Sequence, residues 1–225
     1  MEIVIADDVQ ERLKGVQVAS AIIRGCSNTL SRPKEFYDIE SEVVTYVRRK
    51  YSEPSEIARD SRIRVYRDFY WKLLGLDPTK IRPANEALIR RVVQGEAIPS
   101  INLIVDLYNL ASLRTGLPMS AYDLNKVKGE RLLIRYADKG EVFHPIGGNP
   151  ETLTGNELVI SDSEGPISIY PYRDCLRTRV DKDTSNVLLI VFGVPGIAPI
   201  TLLWGLKYAC KYITMLTGGK AELLI

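Results

Sequence analysis

The stretch INLIVDLYNLASLRTGLPMSAYDLNKVKG, Ile101 to Gly129, is where the texture of the chain changes. Its first half is apolar on nearly every side, which predicts a helix starting near Ser100 or Ile101 and running to Gly116. Such a helix has to be buried. Yet Asn102, Asp106 and Asn109 interrupt the apolar residues, and at helical spacing they fall within a sector about 60° wide. An unpaired buried amide or carboxylate costs several kcal/mol. The polar line therefore either ties loops and strands together by hydrogen bonds, or forms one wall of a polar pocket in which a carboxylate meets an amine or a hydroxyl.

Upstream of this stretch the chain reads as mostly helical. EIVIA (2–6) and VQVASAIIRG (16–25) are short β-branched strand candidates. DIESEVVTYVRRKY (38–51) places acids early and bases late, which suits a helix dipole. SEPSEIARDSRIRVYRDFYWKLLGLDP (52–78) reads as a second helix with Ser55 as N-cap, ended by Gly75 and Pro78. RPANEALIRRVVQGEAIPS (82–100) is a third, stopped at Gly95, with Ala87, Leu88, Val92 and Ile89 as its apolar positions.

Downstream of Gly129 short strands take over: ERLLIRYA, EVFHPIG, ELVISD, PISIYPY and NVLLIVFGV, separated by turn-forming residues. A last helix, PITLLWGLKYACKYITMLTGG (199–219), puts Leu203, Leu206, Cys210, Ile213 and Leu216 on one side and ends at two glycines. Helices first and strands later predict an α+β fold, a helical N-terminal half packed on a mixed, mainly antiparallel sheet. No internal repeat or low-complexity linker divides the chain, so one domain over 1–225 is the simplest organisation.

The totals exclude several classes of function. Lys plus Arg number 30 against 28 acids, too even for a strongly basic nucleic-acid coat. Cys26, Cys175 and Cys210 lie far apart without a CxxC pair, which reads as reduced thiols in a cytoplasmic protein. The lone His144 argues against a histidine-based zinc site or a Ser/His/Asp triad, and no metal or cofactor is expected. MEIVIADDVQ lacks the basic start of a signal peptide. Val187 to Leu206 is uncharged over a membrane-spanning length, but Gly193, Pro195, Gly196 and Pro199 break it. A buried strand, a tight connection and a core helix starting at Pro199 account for it, with no membrane partner.

The segment from Asn102 to Glu141, NLIVDLYNLASLRTGLPMSAYDLNKVKGERLLIRYADKGE, resembles the B3/B4 domain, the editing and tRNA-binding module of the bacterial phenylalanyl-tRNA synthetase β subunit. RPANEALIRRV upstream, and NELVISD and DTSNVLLI downstream, continue the resemblance in order, over roughly Ile57 to Val194. The overall pattern is closest to freestanding B3/B4 proteins. The resemblance implies an α+β domain with a pocket between its helical and sheet parts. In the synthetase that pocket receives the aminoacylated 3′ end of tRNA and hydrolyses wrongly attached tyrosine.

Carried over by position, Asn102, Asp106 and Asn109 match the family's helix motif, and Pro118, Ser120, Tyr122 and Asp123 match the loop after it. Two departures stand out. The synthetase domain usually has a histidine where Ser120 stands, and a tyrosine-recognising glutamate in the stretch matched here by YPYRDCLRTRV, where Leu176 or its neighbours take its place. Tyrosine specificity therefore does not carry over. Arg173, Asp174 and Thr178 look more like the freestanding members. The implied function is hydrolysis of misacylated tRNA in trans. A non-catalytic tRNA- or RNA-binding module and a binding protein for an amino acid or small metabolite are the alternatives.

Hydrolysis of such an ester needs a placed water, a held ester and stabilisation of the oxyanion, and it can proceed without histidine. The backbone amides of Gly147 and Gly148 are candidate oxyanion donors, against a simple turn. Asp106 or Asp123 is a candidate for the α-ammonium group, against capping a turn. Arg173 paired with Asp174 is a candidate contact to phosphate or substrate. Arg59, Arg62, Arg64, Arg67 and Lys72 are interleaved with Tyr66, Phe69, Tyr70 and Trp71, and Arg82, Arg90 and Arg91 come after them. That pattern suits phosphate contact and base stacking on a single-stranded 3′ end, against a solvated helix face.

Overall fold

The computed structural model describes residues 1–224. Its centre is an antiparallel sheet of order β11-β2-β10-β3, built from Lys220–Leu224, Gln17–Arg24, Asn186–Gly193 and Met119–Asp123. The apolar run of β10 is explained by burial on both faces, since Val187 through Phe192 are at most 1% exposed. A second sheet, β1-β4-β7-β8-β9, joins Glu2–Ile5, Arg131–Tyr136, Leu158–Asp162, Gly165–Ile169 and Arg173–Asp174. Only its β1–β4 pair is parallel. A ribbon of β5 (Val142–Phe143) and β6 (Glu151–Thr152) hangs beside it.

Most of the helices lie where the sequence texture puts them, with differences in their bounds and faces. α2 (Lys34–Lys50) starts earlier than the acidic cluster suggests. The expected second helix is two, a single turn α3 (Pro54–Ile57) and then α4 (Ser61–Lys72). Ser55 is not the N-cap of the long one. Asp60 is, because its carboxylate reaches the amides of Arg62 and Ile63 at 3.0 and 3.2 Å. In α5 (Ala84–Val93) Ile89 and Val92 are buried as expected, but Ala87 is exposed and Leu88 only half-buried. Asn85 and Glu86 occupy the inner face instead.

α6 (Leu103–Thr115) ends at Gly116, whose φ of +69° is the left-handed cap. The chain then enters β3 instead of the expected loop, and the strand is buried throughout because it completes the central sheet against β10. The uncharged segment resolves into β10, a connection and α7 (Pro199–Thr217). No helix among the described residues is long and apolar enough to cross a membrane. α7 packs close to the sheet side through Gly205, where an added Cβ would meet Leu117 Cδ1 at 2.5 Å. It buries Leu206, Cys210 and Ile213 as expected, whereas Leu203 and Leu216 are half-buried. α1 (Asp7–Arg12) and β11 have no clear signal in the sequence.

Packing joins these layers into one buried apolar cluster that runs from Val9 to Ile213. Two tyrosines, one from α4 and one from the turn after β8, tie their elements to the end of the central strand. Tyr66 of α4 donates to the Phe192 carbonyl at 2.6 Å, and Tyr170 donates to the carbonyls of Gly193 and Gln17. Their phenols sit far above the usual tyrosine range through burial, so both are obligate donors.

Candidate functional site

A cavity of about 320 Å³ opens where the N-terminus of α6, the outer central strand β3 and the end of β9 converge. That size is at the low end of small-molecule sites, which run roughly 300–1,000 Å³. Its walls are mostly apolar: Leu30 from the loop after β2, Ile101 and Val105 from the start of α6, Ile146, and Val180. Leu30, Ile101 and Ile146 are themselves 64%, 54% and 48% exposed, an unusual share of apolar surface around one opening. The polar groups are few. Asn102, Tyr108 and Asp174 face it, with Arg179, Asp181 and Lys182 on the strand-connecting loop.

Asp174 is the group the fold arranges most deliberately. Ser120 Oγ of β3 donates to its Oδ2 at 2.7 Å, and Tyr122 OH donates to its Oδ1 at 2.8 Å. Both donors are two residues apart on one strand, so they share a face of the sheet. Burial pushes the Asp174 carboxyl above its ordinary range, although the hydroxyls of Ser120, Tyr122 and Ser168 pull the other way. Tyr108 is raised by burial and then by the nearby carboxylates of Asp174 and Asp106, so it is a neutral phenol. Asp181 is already engaged, since Lys126 Nζ lies 2.5 Å from its Oδ2.

The polar line of α6 divides. Asn102 faces the cavity, but it is the N-cap, with φ −160°, and its side chain accepts from Val105 N at 3.1 Å. It therefore does not follow the helical register that places it beside Asp106. Asp106 is fully buried and lies outside the cavity lining. It accepts from Arg32 Nε at 2.7 Å and from Ile101 N at 2.9 Å, and Arg32 also donates to the Pro99 carbonyl at 2.7 Å. This is a strut between the start of α6 and the loop before α2, with no room for a substrate amine. Asn109 is half-buried and also outside the lining.

Other expected site residues separate in the same way. Asp123 is an Asx turn, accepting from Asn125 N at 3.0 Å, from Thr184 Oγ1 at 2.8 Å and from Lys126. Thr178 is buried with its hydroxyl 3.2 Å from Cys175 Sγ. Arg173 does not pair with Asp174, because neighbours on a strand point to opposite faces. It pairs with Glu151 at 3.1 Å and stacks over Tyr172. Gly147 and Gly148 lie exposed just after Ile146, at the cavity mouth but outside its lining. Leu176, standing where the family glutamate was expected, lines a second cavity of about 300 Å³ with His144.

The basic and aromatic interleaving of α4 is not a stacking face. Tyr66, Phe69 and Tyr70 are core residues, and only Trp71 is exposed. Arg67 and Arg90 converge on the buried Glu86, with bonds of 2.9 to 3.0 Å. Arg62 donates to the Thr115 carbonyl and lies over Trp204. Arg91 pairs with Glu96 at 2.9 Å, while Arg82 is exposed just before α5. Charged residues that face the same way as core aromatics are consumed by the packing, which a one-dimensional pattern does not register. Sequence reasoning missed Arg32, Tyr108, Ile146 and the 179–182 loop. Only the DKD of 181–183 in that loop carries a sequence signal, and it reads as a turn.

Among the described residues no group of three or more His, Cys, Asp or Glu side chains is placed to hold a metal, and all three cysteines are free and buried.

A family model described as the B3/4 domain matches residues 65–213, from within α4 to near the end of α7. Among curated relatives, the phenylalanine–tRNA ligase beta subunit of Protochlamydia amoebophila is 34% identical over 45% of this chain and 13% of its own length. That of Aquifex aeolicus is 37% identical over 41% of this chain and 12% of its own. The chain thus spans only a small part of these relatives. The fold is similar to an N-terminal fragment of the phenylalanyl-tRNA synthetase β-subunit from Pyrococcus horikoshii, with a TM-score of 0.51 and 14% identity, covering 98% of this chain and 50% of that one.

Proposed function

This chain belongs to the B3/4 domain family, and on that premise we propose that it binds the aminoacylated 3′ end of tRNA and hydrolyses misacylated esters on tRNA charged elsewhere. The observation that carries the reading is the cavity itself. It combines apolar walls for an amino-acid side chain, a carboxylate floor at Asp174, and cations at the rim in Arg179 and Lys182. An aminoacyl nucleotide has those three parts: an apolar or mixed side chain, an ammonium group and a phosphate.

In this reading water attacks the ester carbonyl carbon, the bond to the ribose oxygen breaks, and that oxygen leaves with a proton. The chain's work is placement. Asn102 and Tyr108 offer neutral hydrogen-bonding groups inside the cavity. The amides of Gly147 and Gly148, next to Ile146 at the mouth, are the candidates for meeting the developing oxyanion. The rim cations hold the terminal phosphate. Arg82, on the segment before α5, is a further candidate for the tRNA backbone, whereas Arg67 and Arg90 serve Glu86.

The test is deacylation of a panel of mischarged tRNAs, each prepared by a separate synthetase, on addition of the purified chain. Release of the amino acid from at least one mischarged tRNA, with the correctly charged one spared, is expected. Salt-sensitive tRNA binding with no turnover would make it a binding module instead. Thermal stabilisation by a free amino acid with no affinity for tRNA would make it a small-molecule binder.

A further inference from the structure

The four buried carboxylates, Glu86, Asp106, Asp123 and Asp162, each hold a cation: Arg67 and Arg90, Arg32, Lys126, and Arg177 respectively. Asp174 faces the cavity with only neutral hydroxyls around it, Ser120, Tyr122 and Ser168, and among the described residues it has no ion-pair partner. An ionised carboxylate beside Val105 and Val180 is costly unless a cation reaches it. Each of its oxygens accepts one short hydroxyl bond, and a carboxylate oxygen has capacity for more. We infer that Asp174 is the receptor for a primary ammonium group, so that the cavity takes aminoacyl esters with a free α-amine and turns away those whose nitrogen is acylated.

This rests on the reading of the cavity as the aminoacyl site and narrows its substrate class. Acylation of the nitrogen removes the charge and two of its three donors. It leaves Asp174 desolvated and unpaired behind the ligand, the situation in which a polar site discriminates most strongly. The side chain of the amino acid would then lie against Leu30, Ile101 and Val105, and the ribose toward Arg179.

The experiment is calorimetric titration of the full chain with three non-hydrolysable probes. These are 3′-deoxy-3′-(phenylalanylamino)adenosine, its counterpart lacking the amine, and its N-acetyl form. The free-amine probe is expected to bind at least about tenfold more tightly than either other, the range of a hydrogen-bonded charge. In Asp174→Asn the three are expected to bind alike. Equal binding of amine and des-amino probes to the unaltered chain overturns the inference without any variant having to fold. Discrimination surviving in Asp174→Asn, or no binding of the amine probe, overturns it too. Deacylation of mischarged tRNA, measured on the same preparation, separates the two failures. Turnover without amine discrimination sinks this inference alone, whereas absence of both tRNA binding and turnover sinks the reading beneath it.

Discussion

Asp106, outside the lining of the cavity, and Asp174, within it, are both acids, and the fold treats them in opposite ways. Asp106 is sealed, with an arginine on one oxygen and a backbone amide on the other. Asp174 is open on one side and held by two neutral hydroxyls. A satisfied carboxylate is structural, whereas an unsatisfied one facing space has an unfilled preference that a ligand can meet. What separates them is the company each keeps in three dimensions, which neither residue type nor sequence spacing reveals.

The contrast breaks most visibly at Asp106. Asp106→Ala leaves the Arg32 guanidinium without its buried partner, and losing one member of such a pair costs about 3–5 kcal/mol. Urea denaturation is expected to show a loss of that size, and the double variant Arg32→Ala/Asp106→Ala to lose less than the sum of the two singles. Near-additive losses would mean that the strut carries little coupling. Asn102→Ala removes the N-cap bond to Val105 and is expected to cost about 1 kcal/mol in the same assay.

Asp174 is expected to respond with the other sign. Its carboxyl is raised by burial, so the native state binds that proton more tightly than the unfolded chain does. Stability from this group is therefore gained as pH falls through the raised value, and the ionised form is a liability at neutral pH. Asp174→Asn should raise the melting temperature at pH 7. The gain should fade as pH drops below the ordinary carboxylate range. A lower melting temperature at neutral pH would show that the hydroxyl bonds outweigh the burial.

The smallest effect concerns the rim. Arg179→Ala or Lys182→Ala should leave stability unchanged and reduce the slope of log affinity for tRNA against log salt by about one each. An unaltered slope would remove those two cations from the interface.

Much of the architecture is legible in the sequence because it is written in periodicity. Helices before Gly116, short strands after Gly129 and a break within Val187 to Leu206 all come from apolar spacing and from Gly and Pro positions. β3 escapes such a reading because MSAYD alternates poorly and is buried on both faces, so its strand character comes from pairing with β10. The start of α4 is ambiguous because Ser55 and Asp60 are both acceptable caps, and only tertiary packing selects one.

The site is half legible. Asn102, Ser120 and Asp174 are candidates from the sequence, and the structure brings them to one place. The sequence offers Asp106 or Asp123 for an ammonium group, and the fold commits both to internal bonds. A helical wheel counts Asn102 as part of the helix when it is the cap, and nothing in the local sequence announces Arg32, 74 residues away.

The most direct test is single-turnover deacylation of a mischarged tRNA by the unaltered chain and by Asp174→Asn, with folding of both verified by thermal melting. The expected result is a folded, slightly more stable variant whose rate falls at least about tenfold, the worth of one charge-assisted contact. An equally stable variant that deacylates at the original rate would show that the open carboxylate is not what the cavity uses.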